Sequence, residues 1–219
     1  MENLYSGLIP HGIAVSLSPL PIAALIFLLL SNRPKSNSLG FLAGWFLALV
    51  ANITIFVLLF GASGVPAGGD PLGVKIFHLV LGGLLILIGL NEWKGRPKKG
   101  QKPKVPKWME AVANFNPFKS FLIAASLVTI NAKNTVLDVA VGDMISKSTE
   151  SMEGKITAII IFSFVASLSI LLPVIAFFIL GNRLKKTLNS VNGFFVQNSN
   201  VILAVLFLLL GASLVVKVF

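Results

Sequence analysis

The 219-residue chain is 55% hydrophobic and only 12% charged, has no cysteine, and carries a formal net charge of +10. A soluble domain averages about 25% charged residues, so this composition describes an integral membrane protein, with no room for a separate soluble domain once spans of about 20 residues each are allotted. The absence of cysteine excludes disulfides, thiolate metal sites and thiol relays. The basic residues sit mostly in short loops between apolar runs, a pattern that membrane topology explains better than nucleic-acid binding does.

The first twelve residues carry Glu2 and no Lys or Arg, unlike a secretory signal peptide, so the first span is read as retained. Six apolar segments follow in order, at residues 7–30, 39–61, 74–90, 118–145, 156–180 and 200–218. They are too long and continuous for strands, and in lipid only helices and closed barrels satisfy their own backbone. An all-α integral membrane fold of six transmembrane helices is predicted.

Loop charges orient it. Arg33 and Lys35 lie in loop one; Lys94, Arg96, Lys98, Lys99, Lys102, Lys104, Lys107 and Lys119 in loop three; Arg183, Lys185 and Lys186 in loop five. Loops two and four carry Lys75, Lys147 and Lys155 beside Asp70, Glu150 and Glu153. The positive-inside rule places loops one, three and five in the cytoplasm and both termini outside, in a multi-pass protein of the cytoplasmic membrane. Three spans per half give the second half the opposite orientation, as an inverted repeat requires. The division is then a first three-helix repeat at 1–90, a cytoplasmic polybasic loop with an interfacial helix at 91–117, and a second repeat at 118–219. LILIG at 85–89 and FLLLG at 207–211 are a short internal match.

Span one is interrupted by Ser18, Pro19, Leu20 and Pro21. Proline inside a helix removes a backbone bond and clashes with the preceding turn, at about 3 kcal/mol or more, whereas serine as N-cap followed by proline is a good helix restart. In span two Gly40, Gly44 and Ala48 recur every four residues, as do Ser163 and Ser167 in span five; small residues at that spacing let helices approach closely, so these two spans are expected to pack together. Asn52 and Thr54 face the interior, toward neighbouring helices or a ligand. Pro173 is expected to kink span five.

The stretch 94–107, KGRPKKGQKPKVPK, reads as a flexible linker on anionic headgroups, with Lys98, Lys99, Lys102, Lys104, Lys107 and Trp108 as lipid-surface contacts. From Trp108, apolar residues at helical spacing around Glu110 and Asn114 predict an amphipathic helix at the interface. Trp45, Trp93 and Trp108 fit an aromatic belt.

Span four holds TINAKNTVLDVAVGD at 129–143, two asparagines, a lysine and two aspartates in otherwise apolar surroundings. Polar groups at that depth cost a few kcal/mol unless they face protein, water or ligand. Thr135 to Asp138 fits the T-x-x-D capping pattern, so a helix restart at Thr135 is predicted, after a break at the NAKN segment. Breaks at corresponding places in two halves point to a transporter binding site. Two half-helix N-termini form a cradle for an anionic group, with Lys133 as countercharge. The expected substrate-binding residues are Ser18, Pro19, Pro21, Asn131, Lys133, Asn134, Thr135 and Asp138. The plainer reading of Asn131, Lys133 and Asn134 is repair of the broken backbone. Asp138 is a cap, a partner of Lys133, or the carrier of a coupling proton; Asp143 and Lys147 are interfacial.

His11 and His78 lack a ligand cluster, and no nucleophile with its base is present, so no metal, cofactor or enzyme activity is expected.

The S-P-L-P of span one, the G-x-x-x-G-W entry to span two at Gly40, Gly44 and Trp45, the P-x-W-M run at Pro106 to Met109, and N-A-K-N resemble the GAP family, small six-span proteins named for glycopeptidolipid and sulfolipid addressing, within the lysine-exporter superfamily. Family members usually show N-P-K-N, where this chain has Ala132. The resemblance implies export of a substrate across the cytoplasmic membrane: lipids or glycolipids in the named members, amino acids or cations in the wider superfamily. The expected function is alternating-access transport of an anionic or zwitterionic substrate. The rival is a non-transporting scaffold that recruits partners or anionic lipids through the polybasic loop. The expected partners are membrane lipids, the substrate and a second copy of the chain, not nucleic acid.

Overall fold

A computed structural model of the chain describes residues 2–63, 71–96 and 114–216. The described residues are helical, with short connections: α1 (Glu2–Ser16), α2 (Pro19–Leu29), α3 (Pro34–Ser63), α4 (Pro71–Lys94), α5 (Pro117–Thr129), α6 (Ala132–Lys147), α7 (Met152–Ala166), α8 (Leu168–Leu180), a 3-10 turn at Gly181–Leu184, and α9 (Lys185–Val216). The polybasic stretch with Lys98, Lys99, Lys102, Lys104, Lys107 and Trp108, and most of the expected interfacial helix, lie outside the described residues.

Among the described residues one straight helix, Pro34–Gly61, is long and apolar enough to cross a membrane; at about 1.5 Å per residue it exceeds a hydrocarbon core of about 30 Å. Three helix pairs pass the same test together but are bent at a short break: Leu4–Ser16 with Pro19–Leu29 by 56°, Pro117–Thr129 with Lys133–Lys147 by 70°, and Met152–Ala166 with Leu168–Leu180 by 62°. The helix interruptions expected at Ser18–Pro21 and at the NAKN segment are therefore present, and a third falls at Ser167. Apolar side chains cover the outside, among them Leu47, Ile55, Leu58, Phe164, Leu172 and Ile179, while Asn37, Ser120, Asn134, Asp138 and Ser163 are buried. Polar groups inside an apolar exterior suit lipid as the solvent.

The chain forms two compact units, Met1–Ala67 with Lys107–Asn189, and Gly68–Pro106 with Ser190–Phe219. Each takes segments from both sequence halves.

In the first unit the prolines of span one initiate a helix. Pro19 stands at the first position of α2 and Pro21 two residues later, where amide groups lack intrahelical acceptors in any case. The residue before a proline is driven to extended backbone, and Ser18 has φ −106° and ψ 108°. Ser18 thus occupies the N-cap position, but its hydroxyl makes no capping bond.

The small face of α3 meets α5. Added methyl groups at Gly40 and Gly44 would collide with the backbone of Pro117 and Phe121 respectively, so the glycine repeat brings span two onto the first part of span four, with the two helices running in the same direction. The glycines of span two thus face span four, while the expected contact of span two with span five is made beside them, where Trp45 Nε1 donates to Ala166 O at 3.3 Å. In the same way α1 runs alongside α7 and α8: a methyl at Gly12 would stand 2.9 Å from Val165 Cγ1, and Ser169 Oγ donates to Ser16 O at 2.5 Å. Asn37 donates to Phe115 O at 2.9 Å, and Asn116 caps α5 by accepting from Lys119 N at 2.8 Å.

Pro173 lies within α8, and the bend of span five falls at Ser167. Ile170 N turns to Ser167 O at 3.0 Å, leaving Ala166 O to Trp45 Nε1 at 3.3 Å. Ser167 Oγ bonds back to Ser163 O at 2.7 Å, an interaction that bends helices. Trp45 is therefore fully buried rather than part of an interfacial belt.

In the second unit α4 and the later part of α9 pack antiparallel through the glycines of the internal match. A methyl at Gly89 would stand 2.9 Å from Leu208 Cγ, and one at Gly211 would stand 2.7 Å from Gly82 O. Asn200 Nδ2 donates to Glu92 Oε2 at 2.7 Å along the same seam.

Candidate functional site

The breaks of spans one and four touch inside the first unit. Ser18 Oγ donates to Val15 O at 2.7 Å and lies 3.3 Å from Asn134 Oδ1. From the other side Lys133 Nζ reaches across to Ala14 O at 2.6 Å and Leu17 O at 3.4 Å.

A helix end leaves its last four carbonyls without intrahelical partners, and in lipid each must be met by protein. At the end of α1 side chains meet them: Ser16 Oγ bonds Ile13 O, Lys133 bonds Ala14 O, Ser18 bonds Val15 O, and Ser169 bonds Ser16 O. Lys133 thus belongs to the repair of span one. It makes no ion pair with Asp138 among the described contacts.

The restart of span four differs from the predicted one. The helix resumes at Ala132 with Asn131 as N-cap, whose Oδ1 accepts from Lys133 N at 3.1 Å and Asn134 N at 3.4 Å. Thr135 sits inside the first turn and donates to Thr129 O and Asn131 O, both at 3.1 Å. The T-x-x-D capping box is overturned because Asn131, with a short amide side chain in extended backbone, reaches the free amides first. With those amides capped and Lys133 committed to α1, the α6 half of the expected anion cradle is occupied by the protein's own groups.

Two unfilled valences remain on one face of α6. Asn134 and Asp138, one helical turn apart, are both fully buried. Asp138 Oδ2 accepts from Asn52 Nδ2 of α3 at 3.3 Å, while Asp138 Oδ1 and Asn134 Nδ2 are buried without partners. One turn further, Gly142 lies directly against Phe56 of α3.

Of the expected residues, Ser18, Lys133, Asn134 and Asp138 converge on this junction, with Asn131 and Thr135 holding the turn beside them and Pro19 and Pro21 forming the turn that aims α2. Asn52 joins them; its signal was an amide two turns after Trp45 in an apolar helix. Ser169 gave no sign, because only the path of span five brings it to Ser16. Among the described residues no group of three or more His, Cys, Asp or Glu side chains is placed to hold a metal ion.

A family model described as Sap, sulfolipid-1-addressing protein, matches residues 8–217. The chain belongs to this family. Comparisons with curated proteins and with solved structures give no match. In this Sap family member the matched region contains the bends of all three helix pairs and the junction of Ser18, Asn134 and Asp138.

Proposed function

We propose that the protein translocates an anionic or zwitterionic amphiphile, of the kind the family description names as a sulfolipid, across the cytoplasmic membrane by alternating access. The observation that carries this reading is the contact between corresponding breaks, Ser18 with Asn134 and Lys133 with Ala14. Broken helices joined at depth supply polar groups where a straight span presents none.

The six-span inverted repeat is part of the proposal. Span two lies along the first part of span four, and span one along span five, which is the exchange a two-fold axis in the membrane plane produces. The matched glycines Gly89 and Gly211 occupy equivalent places in an antiparallel pair, which supports the same relation. Both termini would face outside and the polybasic loop the cytoplasm, where its lysines would hold anionic headgroups.

Lys133 and the capped amides are engaged in this conformation. The substrate headgroup would take them over when the junction opens, so a sulfate or carboxylate would exchange with the α1 carbonyls for the ammonium.

The test is reconstitution of the full chain into vesicles carrying a fluorescent sulfated glycolipid in one leaflet. The expected result is translocation faster than in protein-free vesicles and slowed by Lys133→Ala. A rate equal to protein-free vesicles, with vesicle binding retained, would favour the scaffold reading; chemical change of the lipid would favour an enzyme.

A further inference from the structure

Asp138 is the one buried acidic side chain in the junction, and its surroundings carry no matching positive charge. Its Oδ2 has a single amide donor, Asn52, and its Oδ1 has none. The elements packed around α6 add no counterion. On α3 no titratable residue follows Lys35, whose ammonium lies 5.7 Å from the Phe178 ring centre. On α1 the ionisable groups are Glu2, Tyr5 and His11, and His11 Nδ1 bonds Gly7 O at 2.8 Å. On α5 the group is Lys119, in its first turn; on α7 they are Glu153 and Lys155, with Lys155 Nζ on Ser146 O at 3.0 Å. On α6 itself Lys133 is held by α1, and Lys147 pairs with Asp143 at 2.8 Å.

An ionised carboxylate so placed costs several kcal/mol. We propose that Asp138 is a proton-binding site that couples translocation to proton movement, with Asn52 as its positioning residue; this rests on the translocator reading above. Two features select a proton over a metal cation. The neighbour at Oδ2 is an N–H donor, which repels a cation from that side, and among the described residues no group of three or more His, Cys, Asp or Glu side chains is placed to supply a shell of ligands.

In the closed junction an incoming proton forms an O–H bond on Oδ1 and discharges the group. When the junction opens, that bond breaks and the proton leaves to water. Nothing is oxidised, reduced or otherwise transferred. Asn134 Nδ2, also without a partner one turn away, is the donor available to the carboxylate once the proton has gone.

The probe is infrared spectroscopy of the full chain, labelled with carbon-13 aspartate, in lipid nanodiscs. The expected result is a protonated-carboxyl band that disappears as pH rises, is absent in Asp138→Asn, and shifts in Asn52→Ala. An identical titration in wild type and Asp138→Asn would overturn the proposal, as would displacement of the band by sodium chloride at constant pH, which would make the site one for sodium. In the vesicle assay the ratio of lipid-translocation rates with and without an imposed pH gradient is expected to exceed one for wild type and fall to one for Asp138→Asn; equal ratios would overturn the coupling. If wild type moves no lipid at all, the translocator reading falls, while the carboxyl band still decides whether Asp138 takes a proton.

Discussion

The ammonium of Lys133 donates to the carbonyl oxygen of Ala14 at 2.6 Å, joining the end of one half-helix to the start of another across 119 residues of sequence. This contact converts two local breaks into one junction, because the carbonyls freed where α1 stops are met by the side chain that follows the second break.

Removing it should cost stability before it costs binding. Lys133→Met leaves Ala14 O without its donor, and an unmet buried acceptor is worth about 1–3 kcal/mol. The expected result is a lower unfolding midpoint in denaturing detergent titration, partly restored by Lys133→Arg. An unchanged midpoint would show that the contact holds nothing together.

Gly44 tests the helix pairing. A methyl there meets the backbone of Phe121, whereas one at Gly61 meets nothing within 4 Å. Overpacking costs about 1–3 kcal/mol, so Gly44→Ala should lower the thermal midpoint while Gly61→Ala leaves it level or slightly higher. Equal effects would argue against the close approach of α3 and α5.

Trp45 offers an optical check. It is fully buried, with its indole N–H on Ala166 O, whereas Trp93 is 40% exposed. In single-tryptophan variants Trp45 should emit at shorter wavelength and resist quenching by acrylamide and by brominated lipid. Trp45→Phe should destabilise by about 1 kcal/mol through the orphaned carbonyl. Strong quenching of Trp45 by brominated lipid would return it to the interface.

The cysteine-free sequence makes topology directly measurable. A single cysteine placed between residues 98 and 107 is expected to react with an impermeant maleimide in inside-out vesicles and stay unlabelled in intact cells. Labelling from outside the cell would reverse the orientation.

The break of span one was legible locally, since Ser18 before Pro19 demands an extended residue followed by a helix start whatever surrounds it. The break of span four was legible as a place but not as a geometry. Asn131 and Thr135 both carry capping side chains, and only the path of the backbone decided that Asn131 reaches the free amides.

Other features escaped local reading because they depend on what lies alongside. The bend at Ser167 exists together with the indole of Trp45, an interaction spanning 121 residues, so span five turns there and not at Pro173. The glycine repeat announced a close helix contact without naming the partner, since a small face accepts any backbone that fits.

By itself the sequence determined the solvent, the helices and the two polar interruptions, because hydrophobic length, proline chemistry and capping act within a few residues. Only the tertiary structure decided that the interruptions meet, that Lys133 closes the end of α1, and that Asp138 is left buried with one oxygen unanswered, because each of these depends on a partner supplied by another helix.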